Sequence, residues 1–210
     1  MKKINWLGLL GLLSFISYFL AVVLSPIAYP NYNWLAQAVS DLSAKDAPSL
    51  DLWNKLASFY NVVTCPFLLV LCIYIKDKLN KNIRLGIYLF TIMNFISSIG
   101  YSMFPLSDNN FENVMHIILT ILVVLLSIIS LIVIMIGGYK NKSYLPLAIS
   151  ASICLGLMST SAITGIVPKE IFGLFERFSC LSATLFIAVL GVFMLINFKG
   201  GRFKNENCSI

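Results

Sequence analysis

The sequence predicts an all-α polytopic membrane protein. It reads as a six-transmembrane-helix bundle, N-in and C-in, with a short interfacial helix in the first outer loop. Three observations carry this. Of the 210 residues, 59% are hydrophobic and 11% are charged, whereas a soluble domain runs nearer ~45–50% and ~25%. Mean hydropathy is +0.88. The uncharged runs 4–40, 56–75, 85–107, 113–139, 143–168 and 178–198 each hold at least 20 residues, and a bilayer core takes about 20 in a helix. A soluble enzyme, a nucleic-acid-binding domain and a disordered regulator are excluded, because a soluble globule of this size cannot hide that much apolar surface.

The helices are expected near 5–26, 52–75, 85–104, 112–137, 144–165 and 171–197. Pro26 and Pro30 end the first, since proline removes a backbone donor and breaks the ladder. Lys2 and Lys3 before an apolar stretch resemble the opening of a signal peptide, but the stretch is long and no A-x-A site follows. It therefore reads as a helix that stays. Residues 1–198 form the transmembrane domain and 199–210 a basic cytoplasmic tail.

Charge sets the orientation. With both termini inside, the cytoplasmic segments hold Lys2, Lys3, Lys76, Lys78, Lys81, Arg84, Lys140, Lys142, Lys199, Arg202 and Lys204, which is 11 of the 15 basic residues. The outside keeps Lys45, Lys55, Lys169 and Arg177. Excess Lys and Arg on one side is the topological signal, so the net charge of +6 reports orientation and not a nucleic-acid partner. The expected location is the cytoplasmic (plasma) membrane, with membrane lipids as partners. The sequence leaves homodimers and membrane-protein partners open.

The first outer segment, NYNWLAQAVSDLSAKDAPS, sets Trp34, Leu35, Val39 and Leu42 beside Gln37, Ser40 and Asp41. That pattern suits an interfacial helix. Ser49 after Pro48 is the expected N-cap of the second helix. In helix five, Ala148, Ser152, Gly156, Thr160 and Thr164 repeat every four residues. Such a small-residue stripe lets helices approach closely, with Gly156 as the expected closest point. Ser179, Ala183 and Gly191 give helix six a weaker version.

Polar groups collect at the outer ends. Asp108, Glu112, His116 and Thr120 follow i+4 spacing and would stack on one helix face. Helix rise puts His116 ~12 Å below Asp108, inside the bundle mouth. His116 is the only histidine. An ionisable residue at membrane depth is a functional candidate by default, and an imidazole works as base, relay or ligand near neutral pH. The alternative is a structural hydrogen bond. The expected catalytic set is His116, Asp41 and Glu176. The expected substrate-binding set is Arg177, Ser40, Tyr101 and Glu112. Arg177 either pairs with a carboxylate or grips a lipid phosphate. Glu176 and Arg177 are adjacent, so they point about 100° apart and do not pair with each other. One histidine cannot make a three-His zinc site, and no spacing signature brings Asp41, Glu112 or Glu176 to a metal. No metal or cofactor is expected. Cys65, Cys72, Cys154, Cys180 and Cys208 form no CxxC pair and read as small hydrophobes.

The outer VSDLSAKDAPS segment, GYSMFPLSD closing helix three, the histidine in NVMHIILT and the GLFERFSCLS opening of helix six together resemble a known group. It is the bacterial and archaeal six-helix family called domain of unknown function 998. The pattern is also distantly similar to the Frag/DRAM/Sfk membrane proteins, which include GPI-anchor lipid-remodelling factors and autophagy modulators. Ser43 stands where an S-D-L-G pattern would have glycine. The resemblance implies the six-helix fold and the placing of Asp41, His116, Glu176 and Arg177, and no particular reaction. Three readings stay open: a lipid-modifying or lipid-binding protein of the outer leaflet, a structural or accessory (immunity-like or partner-binding) protein, and a small transporter. The last is disfavoured by inner helix halves as apolar as LTILVVLLSIISLIVIMI.

Overall fold

The computed structural model describes residues 3–162 and 168–197. Thr164 and the tail 199–210 lie outside the described residues. The chain forms α1 (Gly8–Leu24), α2 (Leu50–Ile75), α3 (Lys81–Met103), α4 (Asn110–Tyr139), α5 (Leu145–Ala162) and α6 (Phe172–Asn197). One turn of 3-10 helix, Lys3–Leu7, extends α1 toward its N-terminus. Another, Ser25–Ala28, carries Pro26 and ends it. All six are long and apolar enough to cross a membrane, so the protein is a multi-pass integral membrane protein.

Each helix packs on its neighbours in sequence, and α1 packs on α6. The six thus close into a ring. Its middle is filled by side chains: Phe67, Leu71, Phe90, Phe186, Leu190 and Met194 are buried there. Phe90 and Phe186 meet edge to face at 5.2 Å, a favoured aromatic geometry. A smaller cluster of Ala21, Val22, Val39, Leu42, Trp53 and Ala57 roots the α1–α2 loop between those two helices.

The seams rest on small residues, as expected where lipid offers no hydrophobic drive for association. Their places differ from the expected stripe. Gly156 is exposed on α5, and a Cβ there would meet nothing within 4 Å, so it receives no neighbouring backbone. The stripe meets α4 elsewhere: Ala148 lies against Gly138, and the Ser152 hydroxyl hydrogen-bonds that of Tyr139 at 2.8 Å. The dominant stripe is in α1: Gly8, Gly11, Ser14, Ser17 and Ala21 are all buried. A Cβ on Gly8 would strike the carbonyl oxygen of Gly191, and one on Gly11 would lie 2.8 Å from that of Ile187. Ser17 donates to the Leu56 carbonyl at 2.6 Å and accepts from the Tyr60 amide at 3.2 Å, fixing α1 to α2. On the opposite side, Gly86 of α3 lies against the Ser130 backbone of α4, and Gly137 of α4 against the Ile83 backbone of α3.

Asparagines start two helices. Asn80 accepts from the Ile83 amide at 2.9 Å, and Asn109 from the amides of Phe111 and Glu112. These bonds satisfy orphan donors of the first turn. Ser49 occupies the cap position of α2, but its hydroxyl donates to the Leu42 carbonyl at 2.8 Å. It ties down the loop instead of capping the helix. The outer segment forms no interfacial α-helix; its helical part is one 3-10 turn, Ser40–Ser43. Val39 and Leu42 are drawn into the bundle, and groups from α6 take up the neighbouring backbone.

Candidate functional site

The sequence-predicted residues fall into two groups at the end of the bundle that the charge count assigns to the outside. The first group joins the α1–α2 loop to the start of α6. Asn31, with φ +59°, turns the chain after Pro30; asparagine tolerates this left-handed backbone better than most residues. Tyr32 then lies beneath the loop. Its hydroxyl donates to the Ala38 carbonyl at 2.6 Å and accepts from Arg177 Nη2 at 2.6 Å. Arg177 Nη1 donates to the carbonyls of Gln37 at 3.0 Å and Gly173 at 2.7 Å. Its guanidinium carbon stands 4.1 Å from the centre of the Trp34 ring, a cation–π stack.

Glu176 takes the other side of the same loop. Its carboxylate accepts from the Val39 amide and, at 3.3 Å, from the Ser40 hydroxyl. Asp41 accepts from the Ala38 amide at 2.9 Å. The Leu174 amide donates to the Leu35 carbonyl at 3.1 Å. Residues 37–40 have no ladder to join, so their buried backbone groups require other partners. The side chains of Tyr32, Asp41, Glu176 and Arg177 supply them. Glu176 and Arg177 do not pair; as their helical positions require, each holds a different part of one loop. Burial pushes the Tyr32 phenol up to about 12, with Arg177 pulling the other way. It stays protonated and able to donate at neutral pH.

Arg177 is 1% exposed and its terminal nitrogens are engaged. It is a latch, with no reach to an outside phosphate. Gly173 makes this possible: a Cβ there would strike the Gln37 carbonyl oxygen and approach Arg177 Nη1.

The second group joins α3 to α4. His116 Nδ1 lies 3.0 Å from the carbonyl oxygen of Phe104, the residue that closes α3. A carbonyl only accepts, so Nδ1 carries the ring proton. In the neutral ring Nε2 is then an acceptor, and among the described residues nothing hydrogen-bonds to it. The Tyr101 ring lies 4.9 Å from the imidazole, and its hydroxyl donates to Thr120 Oγ1 at 3.1 Å. Thr120 in turn donates to the His116 carbonyl at 2.8 Å. Glu112 accepts from the Ser107 hydroxyl at 2.5 Å and pairs with Lys45 at 3.6 Å. Asp108 precedes the helix, so the stack on one face begins at Glu112.

Among the described residues no hydrogen bond or ion pair joins His116 to Asp41, Glu176 or Arg177. Lys45 links the two groups: its amide donates to the Leu106 carbonyl at 3.0 Å and its ammonium reaches Glu112. Tyr18 packs in the cluster that roots the loop, its ring 5.7 Å from that of Trp53 and 4.8 Å from that of Tyr60. Sequence reasoning passed over Tyr18, Tyr32, Tyr60 and Phe104, and placed Trp34 and Gln37 only in an interfacial helix; their roles here carry no periodic signal. Among the described residues no group of three or more His, Cys, Asp or Glu side chains could hold a metal ion.

No curated protein and no solved structure matches the chain. A family model does: that described as Protein of unknown function (DUF998), over residues 12–193. That span takes in α2 to α5 whole and most of α1 and α6, together with both polar groups, and the chain belongs to the DUF998 family.

Proposed function

We propose that this protein binds a lipid headgroup at the outer leaflet of the plasma membrane, with His116 as the group that meets it. The carrying observation is the division of labour within the imidazole. One nitrogen is fixed by the Phe104 carbonyl, and the other, on a half-exposed ring, keeps its lone pair. A ring held this way accepts from a headgroup hydroxyl and is oriented to remove its proton. The neighbouring Ile117, Ile118 and Ile121 of α4 are exposed and suit the acyl chain of the same molecule. Lys45, exposed at the rim, supplies a cation beside Glu112. A lipid-modifying activity, if present, runs through this base, and Asp41, Glu176 and Arg177 support it by holding the loop that carries Lys45.

The lone histidine makes a clean test. In ring-15N-labelled protein in nanodiscs, one pair of nitrogen signals reports His116. The expected result is a protonated Nδ1, with an Nε2 signal that shifts when phosphatidylcholine is replaced by hydroxyl-bearing phosphatidylglycerol. A protonated Nε2, or signals blind to lipid composition, would defeat the proposal.

A second reading, a structural or accessory membrane protein, is favoured by the engagement of Glu176 and of both terminal nitrogens of Arg177 in holding the loop. On that reading His116→Gln lowers function only as far as it lowers stability.

A further inference from the structure

At the opposite, basic end of the bundle, a cleft of about 530 Å³ opens between the start of α1 and the end of α2. Its walls are Leu7, Val70, Ile73 and Tyr74, and its rim is Asp77 and Lys78. Lys78 does not reach straight out from the helix end. Its ammonium lies 3.1 Å from the centre of the Tyr74 ring, over the cleft wall. Behind that wall the Tyr74 hydroxyl donates to Asn5 Oδ1 at 3.2 Å, while the fully buried Asn5 keeps an amide nitrogen without a partner.

Charge identifies the occupant. Among the described residues this end carries Lys3, Lys76, Lys78, Lys81, Arg84, Lys140 and Lys142 against Asp77 alone. An occupant needs an apolar part for Leu7, Val70 and Ile73 and an anionic part at Lys78. We propose that this cleft is a binding site for one anionic phospholipid of the inner leaflet. Its acyl chain lies against Leu7, Val70 and Ile73, and its phosphate sits at Lys78. The cation–π contact holds the ammonium at the level where the phosphate of a seated chain ends. A zwitterionic lipid brings its own cation to the crowded basic rim and is disfavoured. The site is separate from His116 and does not depend on the reading given to it.

The test is lipid retention by the intact protein in detergent, measured by native mass spectrometry with phosphatidylglycerol or phosphatidylcholine added. Wild type should retain one phosphatidylglycerol in preference to phosphatidylcholine, and inorganic phosphate should not displace it. A lysine near an anionic surface corresponds to roughly a fivefold change in affinity. Lys78→Gln should lose about that much, and Val70→Trp, which fills the cleft, should lose more. Lys142→Gln, at the same end but outside the cleft, should lose little. Thermal unfolding of each variant separates lost binding from lost fold, and Ile73→Trp is the substitute if Val70→Trp unfolds. Equal retention of both lipids would overturn the proposal. So would an equal loss in Lys78→Gln and Lys142→Gln, which would mean diffuse surface attraction, or co-purification of a protein helix in the cleft with no lipid bound.

Discussion

The two polar groups at the outer end draw on the same residue types and use them in opposite ways. Around the α1–α2 loop, Tyr32, Asp41, Glu176 and Arg177 face inward and are taken up by backbone groups of residues 37–40. Around the α3–α4 turn, His116 has one nitrogen engaged and one free, and Lys45 and Glu112 keep exposed faces. The difference teaches that rarity of charge in a membrane helix does not by itself mark a reactive group. A buried irregular loop has a fixed demand for hydrogen bonds, and charged side chains meet it before anything is left for a ligand. Engagement with the loop backbone, and not identity, separates the latch from the candidate site.

The sharpest way to break this contrast is at Arg177. Arg177→Ala removes three hydrogen bonds and a ring stack from a buried position, and should destabilise the protein by about 4 kcal/mol. Arg177→Lys keeps the charge but cannot span Gln37, Gly173 and Tyr32 together, so it should recover less than half. Thermal unfolding in detergent measures both, and limited proteolysis should find the 32–41 loop newly cleavable. If Arg177→Ala unfolds like wild type, the latch assignment falls and a ligand-binding role returns.

A glycine pair gives a smaller and more direct comparison. Gly173→Ala drives a methyl into the Gln37 backbone of the latched loop, and overpacking against backbone costs about 2 kcal/mol. Gly100→Ala on the α3 side meets only the side chain of Leu119, at 2.9 Å, which can turn aside. Alanine also favours a helix over glycine by roughly 0.5–1 kcal/mol. Gly100→Ala should therefore be neutral within about 1 kcal/mol. Equal effects of the two substitutions, by the same unfolding measurement, would show that both groups are packed alike.

Much of the fold was legible because it rests on length and hydropathy. The uncharged runs placed six helices within a few residues of their observed bounds, and Pro26 marked the end of α1. The seams were less legible. A strict i+4 stripe pointed to Gly156, which is exposed, while the working stripe in α1 runs at spacings of three and then four, and its partners Gly191 and Ile187 lie far off in sequence. Periodicity shows that a face is small, not what faces it. The candidate site divided for a related reason. The outer level of its residues followed from where the charged groups stand along the chain. Their partners are mostly backbone atoms, which leave no mark in a sequence: the Phe104 carbonyl orients His116, which was expected to share a catalytic set with Asp41 and Glu176.

The mildest test of the contrast uses pH. Tyr32 has an ordinary phenol value of 10.0, and burial in the latch raises it to about 12 in the folded state. A group whose folded value lies above its unfolded value binds its proton more tightly when folded. Its contribution is whole below about pH 10 and fades as pH rises toward 12. The deprotonated phenolate also loses the bond it donates to the Ala38 carbonyl, although it can still accept from Arg177. The latch should therefore loosen across that window, and Tyr32→Phe should remove that part of the pH dependence at a stability cost of about 1 kcal/mol at neutral pH. Because half the side chain stays solvated, the alkaline effect should be the smallest of these. Unfolding midpoints from pH 8 to 12, compared between wild type and Tyr32→Phe, measure it. A slope that is identical in the two proteins would mean that the Tyr32 hydroxyl does not hold the loop, leaving Arg177 and Glu176 to close it alone.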